Sequence, residues 1–315
     1  MPDPPARLCF FIQNHRPPAQ AARLISALRR GAGDPFVLVG HDPFAGAGTA
    51  EEAERTLGVP VFGFPHPARR GYFSLIRPWF EAVEWLAGRG IPYDWLVYLS
   101  AQDYPTRPVA QLAALLGSTR ADGFLRHWPA YGPGGPWRKR QGRRRYALQY
   151  FDAPPALAPL LWALRWINGL QPFVHLHRVY GPRVGVWRGE GPFTGGRVPY
   201  GGTQWSVLRR ACAEFAAGRA RSGDPVVRWF ERTVCPDEAV VQTLLVHDGR
   251  FRLDDDDLHF TAMAGSRTGR PRVLGMKDLP SLLTGRHFFA RKFDAETDSR
   301  VLDALDRHLA AGGEV

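Results

Sequence analysis

The sequence predicts an α/β protein built around a mixed, largely parallel sheet flanked by helices. In the first half of the 315-residue chain, short apolar runs alternate with amphipathic helical patterns. This order is typical of a parallel sheet whose strands are joined by crossover helices. The hydrophobic fraction of 44% is enough for a sizeable core.

The elements of the first half follow from these patterns. The run LCFFIQ, residues 8–13, has the length of a buried strand, and residues 17–33 show the spacing of an amphipathic helix closed by glycine. Ligands of such sheets lie beyond the carboxyl ends of the strands, where SAQDYP follows a strand in this chain. The further predictions are strands at 35–40, 59–64 and 94–99 and a helix over 74–90.

The second half has a different composition. Residues 126–146 are basic, aromatic and rich in Gly and Pro, and they are predicted to form a long surface loop. Three uses of this loop stay open: a solvated rim, an acceptor or anion site, and a surface for single-stranded nucleic acid. The further predictions are helices over 154–170, near 201–218, from Pro236 onward and over 295–313 with Asp294 as N-cap, and a strand over 257–263.

Net charge and cysteine content narrow the function classes. The net charge of +11 suits a polyanionic partner such as nucleic acid, an anionic membrane or a phosphorylated small molecule. Cys9, Cys212 and Cys235 are too few and too scattered for a disulfide framework or a zinc site. No stretch reaches the ~20 apolar residues of a membrane span, and no signal peptide is present. We therefore expect a cytoplasmic protein.

Two adjacent carboxylates, Asp237 and Glu238, follow a proline in CPDEAVVQTLL, residues 235–245. The pattern predicts a helix that begins at Pro236, with acids in the first turn, where the helix dipole favours negative charge. Taken alone, this stretch favours a structural role for both side chains.

Other acidic residues give weaker signals. Asp103 lies just after a predicted strand, so a donor-binding role and an Asx turn before proline both stay open. The run Asp254–Asp257 predicts a solvated turn, because consecutive side chains of an extended chain point in opposite directions and do not converge on one ion. We predict no metal site.

Four motifs in order resemble a known family, the core-2/I-branching glycosyltransferases (glycosyltransferase family 14), which also holds the peptide xylosyltransferases. The resemblance covers about residues 7–310. It implies a GT-A-like (Rossmann-like) fold in one domain, 1–315, with a donor-binding half at about 1–125 and an acceptor and catalytic half at about 126–315. The motifs are YDWLVYLSAQDYPTRPVAQLAALL (93–116), YGGTQWSVLRR (200–210), CPDEAVVQTLL (235–245) and FFARKFD (288–294).

The resemblance also implies the reaction. It is an inverting transfer of a sugar, GlcNAc first among the donors, from a UDP-sugar to a hydroxyl of a saccharide or small glycoside, with no cofactor and no metal. Without a metal, fixed cations must neutralise the leaving diphosphate. Lys292 matches the family lysine with this role, and its partner is Arg270 or the close alternative Arg272. Glu238 matches the general base that takes the proton of the attacking hydroxyl.

Further positions are assigned more weakly by the same resemblance. Asp42, in a VGHDPF turn, joins Asp103 as a donor-binding candidate. The acceptor-side candidates are Gln204, Trp205, Arg138, Lys139 and Arg140.

The sequence departs from the family pattern near these positions, since Cys235 replaces a serine, Arg209 stands where a serine is usual and the tryptophan after Trp205 is missing. These departures affect specificity more than reaction type. The alternatives are a UDP-xylose-dependent enzyme and a non-catalytic polyanion-binding protein; nucleic acid is not the expected partner.

Overall fold

A computed structural model of the chain describes residues 5–30, 34–132, 134–137, 139–263 and 270–313. Arg138, the side chain of Lys139 and the predicted glycine end of the first helix lie outside the described residues. The prediction that Arg138 and Lys139 lie on the acceptor side therefore stays a prediction.

The chain alternates strands and helices. The strands are β1 (Leu8–Asn14), β2 (Phe36–His41), β3 (Val61–Gly63), β4 (Trp95–Ser100), β5 (Asp103–Pro105), β6 (Gly123–Phe124), β7 (Trp128–Pro129), β8 (Leu148–Asp152), β9 (Val174–His177), β10 (Arg183–Trp187), β11 (Tyr200–Gly201), β12 (Val207–Arg209), β13 (Leu253–Asp254), β14 (His259–Thr261) and β15 (Phe289–Arg291). The helices are α1 (Ala19–Arg29), α2 (Ala50–Leu57), α3 (Arg77–Gly88), α4 (Val109–Ser118), α5 (Lys139–Tyr146), α6 (Ala158–Ala163), α7 (Ile167–Leu170), α8 (Arg210–Arg221), α9 (Pro225–Phe230), α10 (Val240–Asp248), α11 (Leu279–Thr284) and α12 (Ser299–Ala310).

The central sheet has seven strands in the order β13-β6-β12-β4-β1-β2-β3. Parallel pairs join β1 to β2 and β4, β2 to β3, and β6 to β13. Strand β12 runs antiparallel between β4 and β6. Smaller sheets order β8-β10-β9, β11-β7 and β14-β15-β5. The predicted class, an α/β protein with a mixed, largely parallel sheet flanked by helices, is confirmed.

Alternate side chains of the central strands enter two different apolar cores. In β1, Phe10 and Ile12 belong to the first core, whereas Phe11 belongs to the second. Helices α1, α4 and α12 cover the first face, and α3, α8 and α10 cover the second. Burial on both faces explains why these strands are continuous apolar runs in the sequence.

The prediction of a loop over residues 126–146 is wrong in part, because this segment holds β7 and α5. Gly142 lies inside α5, and a Cβ placed there would come within 1.7 Å of the carbonyl oxygen of Ala130. Tyr146, at the end of the helix, is fully buried. Gly142 is therefore needed for close packing, although in the sequence it resembles a loop residue.

Two predicted helix starts are also wrong. Pro236–Glu238 forms a separate 3₁₀ turn, and Ala239, with a φ of −150°, interrupts the chain before α10 begins at Val240. Glu238 therefore does not lie in the first turn of α10, and the expected interaction of its carboxylate with the dipole of that helix is absent. Helix α12 begins at Ser299 with Asp298 as its N-cap, in place of Asp294.

The remaining helix predictions are confirmed with changed limits. The predicted helix over 154–170 is broken into two 3₁₀ turns with α6 and α7. The helix near 201–218 begins at Arg210, after the unpredicted strand β12. In the described part of the chain, no helix is long and apolar enough to cross a membrane.

Candidate active site

Four cations lie at the edge of the molecule where β1 and β15 end. Arg16 follows β1, Arg291 ends β15, and Lys292 follows it. Burial, then Arg16 and Arg291, lower the pKa of Lys292; Asp294 opposes them, and Arg270 lowers the pKa by a smaller amount. We call Arg16, Arg270, Arg291 and Lys292 the cation cluster.

The cation cluster carries more positive than negative charge. Arg16 pairs with Asp294 at 2.8 Å, and Arg291 pairs with Asp103 at 2.9 Å. Among the described residues, no carboxylate forms an ion pair with Lys292 or Arg270. The excess positive charge makes this edge of the molecule suitable for a polyanionic group such as a diphosphate.

The two candidate arginine partners of Lys292 have different surroundings. Arg272 donates to both carboxylate oxygens of Asp278, at 2.7 and 2.5 Å. Arg270 is exposed and close enough to affect the charge of Lys292. The structure therefore favours Arg270 over Arg272 as the partner.

Asp103 and Trp205 hold Arg291 in place. Asp103 is fully buried; it accepts a hydrogen bond from the Ser100 N–H and pairs with the Arg291 guanidinium. The Arg291 guanidinium lies 4.3 Å from the ring centroid of Trp205, which is itself 4% exposed. Both side chains are buried against Arg291, and the predicted donor-binding role of Asp103 and acceptor-side role of Trp205 stay predictions.

Asp42 organises the loop after β2. Its two carboxylate oxygens accept hydrogen bonds from the N–H groups of Phe44, at 3.0 Å, and Ala68, at 2.9 Å. The residue is 4% exposed and close enough to His15 to affect its charge. His15 in turn lies close to Lys292, so Asp42 supports the rim of the cation cluster.

Gln204 belongs to a short chain of polar side chains that continues through Tyr98 on β4 to Gln13 on β1. Its amide donates to the Tyr98 hydroxyl at 2.6 Å, and that hydroxyl donates to the Gln13 side-chain oxygen at 2.5 Å. Tyr98 is close enough to feel the charges of both Asp237 and Arg291. This chain therefore lies between the carboxylates and the cation cluster.

Glu238 is held by α5. The Arg145 guanidinium pairs with its Oε2 and lies 4.4 Å from the ring centroid of Trp137. The Gly202 N–H donates to the backbone oxygen of Glu238 at 2.7 Å. The Glu238 side chain is 31% exposed, so it is oriented by the protein and open to solvent. The pairing with Arg145 fixes the position of the carboxylate, and the exposed part of the side chain leaves room for a hydroxyl group to approach it.

Asp237, for which the sequence favours a structural role, lies in an environment that the sequence does not reveal. It is 7% exposed, and its Oδ1 has no hydrogen-bond partner in the described part of the chain. Burial and the neighbouring charge of Glu238 raise its pKa from 3.8 to about 7. The sequence holds no signal for this, because the unpaired carboxyl arises from the fold of the turn.

We expect Asp237→Asn to change how stability depends on pH. The native carboxyl keeps a proton that the unfolded chain loses between pH 3.8 and about 7, so ionisation of this group destabilises the fold as the pH rises. The free energy of unfolding of the wild-type protein should fall across this pH window, by up to about 1.4 kcal/mol per pH unit, and should change no further above it. The gain in Tm of the variant over wild type should therefore grow from pH 4 to 7.

Thermal unfolding followed by circular dichroism at several pH values measures this difference. Asp34→Asn serves as the control, since the Asp34 side chain is 89% exposed. Parallel Tm curves for wild type and Asp237→Asn would show that Asp237 is ionised throughout.

A cavity of about 820 Å³ lies beside α5. Arg140 and Arg144 line it, and both donate hydrogen bonds to the Asn168 carbonyl oxygen, at 2.8 and 2.9 Å. Arg145, which pairs with Glu238, lies on the same helix α5 as these cavity-lining arginines. Of the acceptor-side basic residues predicted from the loop, Arg140 lines this cavity, and its acceptor-side role stays a prediction.

The described residues contain no group of three or more His, Cys, Asp or Glu side chains that could hold a metal ion. Cys9, Cys212 and Cys235 are free and buried, and burial raises the pKa of each thiol. Raised pKa values disfavour the thiolate, so a role as nucleophile is not supported.

The chain is similar to known glycosyltransferases. No protein-family model matches it. It is 26% identical to xylosyltransferase 2 of the dog, Canis lupus familiaris, over 97% of this chain and 34% of that protein. It is 25% identical to the human xylosyltransferase 2 over 98% of this chain and 34% of that protein. The chain thus spans about a third of the length of these relatives.

A solved structure is also similar. It is glucosyl-3-phosphoglycerate synthase from Mycobacterium tuberculosis in complex with Mn2+, UDP and glucosyl-3-phosphoglycerate, with a TM-score of 0.34 and 13% identity over 98% of this chain and 78% of that one. In sequence, the chain is thus distantly similar to xylosyltransferase 2.

Proposed function

We propose that this chain is an inverting glycosyltransferase that moves a sugar from a UDP-sugar to a hydroxyl group of a saccharide or small glycoside. The cation cluster carries the proposal. It offers Lys292 and Arg270, which pair with no carboxylate among the described residues, beside two arginines that are already oriented by Asp103 and Asp294. Such preorganised positive charge stabilises the negative charge that develops on a leaving diphosphate.

Glu238 completes the proposed chemistry. The acceptor oxygen attacks the anomeric carbon as the bond from that carbon to the diphosphate oxygen breaks. The hydroxyl proton passes to the Glu238 carboxylate, and UDP leaves with the bonding electron pair. One displacement from the opposite side inverts the configuration at the anomeric carbon. Arg145 holds the Glu238 carboxylate in position before the transfer.

The donor sugar is a choice between two candidates. The motif resemblance supports GlcNAc, whereas the curated relatives are named xylosyltransferases, which supports xylose. A screen of UDP-GlcNAc and UDP-xylose, read by the mass of the product, separates them. Release of UDP from neither donor, with or without acceptor, would contradict the proposed reaction.

We further propose that the reaction needs no divalent metal, because the cation cluster supplies the charge that a metal supplies elsewhere. UDP binding by calorimetry and donor turnover should therefore persist in excess EDTA. Turnover that is lost with EDTA and restored by manganese would overturn this part of the proposal and leave the transfer reaction intact.

A further inference from the structure

The strongest unexplained feature lies between α5 and β10. None of the residues 151–182 is buried, although this stretch is rich in Leu, Trp, Phe and Val. Nine of the thirteen large hydrophobic side chains that are exposed in the described part of the chain lie in residues 151–187. They are Phe151, Leu157, Leu160, Trp162, Trp166, Leu170, Phe173, Val179 and Trp187. We call them the apolar surface.

Several members of the apolar surface are exposed to an unusual degree. Leu170 is 73% exposed, Val179 71% and Trp166 61%. Phe173 and Trp187 pack against each other with ring centroids 5.9 Å apart, so the exposed groups include packed clusters. Single exposed apolar residues are common on protein surfaces and need no explanation. A concentration of them in one region is typical of a surface that binds another protein or a membrane.

The apolar surface lies in a basic part of the chain. Residues 151–188 hold four arginines and one Asp, a net charge of +3, and residues 123–150 before them add seven Lys and Arg and no acidic residue. Between Asp152 and Glu190 there is no acidic residue. The surface therefore combines exposed apolar groups with a net positive charge.

Arginines and apolar groups are interleaved within this surface. The guanidinium groups of Arg165 and Arg178 lie 5.2 and 5.9 Å from the ring centroid of Trp162. Arg188 lies 5.9 Å from the ring centroid of Phe151. Long cationic side chains beside tryptophan are typical of segments that lie at a membrane surface, where the rings enter the headgroup layer and the cations meet lipid phosphates.

We propose that the apolar surface docks on an anionic lipid bilayer. Leu157, Leu160, Leu170 and Val179 would enter the acyl boundary, and the surrounding arginines would meet the phosphates of the headgroups. Nucleic acid fits less well, since exposed aliphatic side chains gain nothing from a phosphate backbone. A second copy of the chain fits less well too, because two surfaces of net positive charge repel each other. The docking does not depend on the proposed function.

Flotation with lipid vesicles tests the docking. At ~150 mM salt, wild-type chain should float with vesicles of phosphatidylcholine and phosphatidylglycerol in a 7:3 ratio, and should stay behind with pure phosphatidylcholine. The double variant Trp166→Ser, Leu170→Ser should lower the partition coefficient by about tenfold or more. The control variant Phe44→Ser, Leu115→Ser removes two exposed apolar groups elsewhere and should bind as wild type does.

The fold of both double variants is checked by circular dichroism, and their positions are exposed in the structure. Three results would overturn the proposal. In the first, wild-type chain fails to float with the anionic vesicles. In the second, both double variants float equally well. In the third, the Trp166, Leu170 variant abolishes oligonucleotide binding or self-association but leaves vesicle binding unchanged.

Discussion

Glu238→Gln is expected to lower the rate of sugar transfer by about 10²–10⁴-fold, while the affinity for UDP stays close to that of wild type. Glutamine keeps the length of the side chain and an oxygen that can accept from Arg145, which pairs with Glu238 in the structure. It cannot take a proton. The change therefore removes the base and keeps the shape of the site.

Turnover and UDP calorimetry on the same preparations measure this effect. Glu231→Gln is the matched control, because Glu231 is 45% exposed and pairs with Arg77 at 3.8 Å on the protein surface. Near-wild-type turnover of Glu238→Gln would contradict the assignment. Loss of turnover in Asp237→Asn but not in Glu238→Gln would move the base to the buried neighbour.

Lys292→Ala is expected to weaken UDP binding and to slow transfer as well. A charge that faces the diphosphate acts on bound UDP and on the transition state together. Loss of a charged hydrogen bond costs about 1.5–3 kcal/mol, which corresponds to roughly a 10–150-fold weaker affinity. The rate should fall by about 10²–10³-fold, as when a preorganised donor is removed.

The three lysines of the chain provide a control. Lys277→Ala removes an exposed lysine of a surface turn and should leave both UDP affinity and rate unchanged. Arg270→Ala should weaken UDP binding more than Arg272→Ala, since Arg272 is held by Asp278. Unchanged UDP affinity in Lys292→Ala would remove the cation cluster as the diphosphate site.

Central strands were predictable because both of their faces are buried. The apolar runs that contain Phe10, Phe11 and Val97 form β1 and β4 as expected. Short strands such as β12 were missed, since a three-residue strand is held by its neighbours in the sheet and leaves no pattern of its own. Helix α5 was missed because its arginines and Gly142 resemble loop residues until their packing is known.

Residues of the candidate site could be predicted only where they belong to a sequence motif. Lys292 and Glu238 came from motifs, and their roles stay predictions. Arg16 could have been suspected, since it follows a strand at the ligand edge of the sheet. Arg145 could not, because its contact with Glu238 joins residues 93 positions apart. The open carboxyl oxygen of Asp237 is likewise a product of tertiary structure.

The two apolar cores divide the site between them. Phe289 and Phe293, on either side of Lys292, are buried in the first core, whereas Ala239 and Val240, next to Glu238, are buried in the second. The seven-stranded sheet separates these cores. If the second core loosens, Glu238 is displaced while Lys292 stays held by the first core, and the reverse holds for the first core. On heating, turnover and UDP binding would then be lost at different temperatures. Moderate heating that loosens the second core would abolish turnover and leave a chain that still binds UDP.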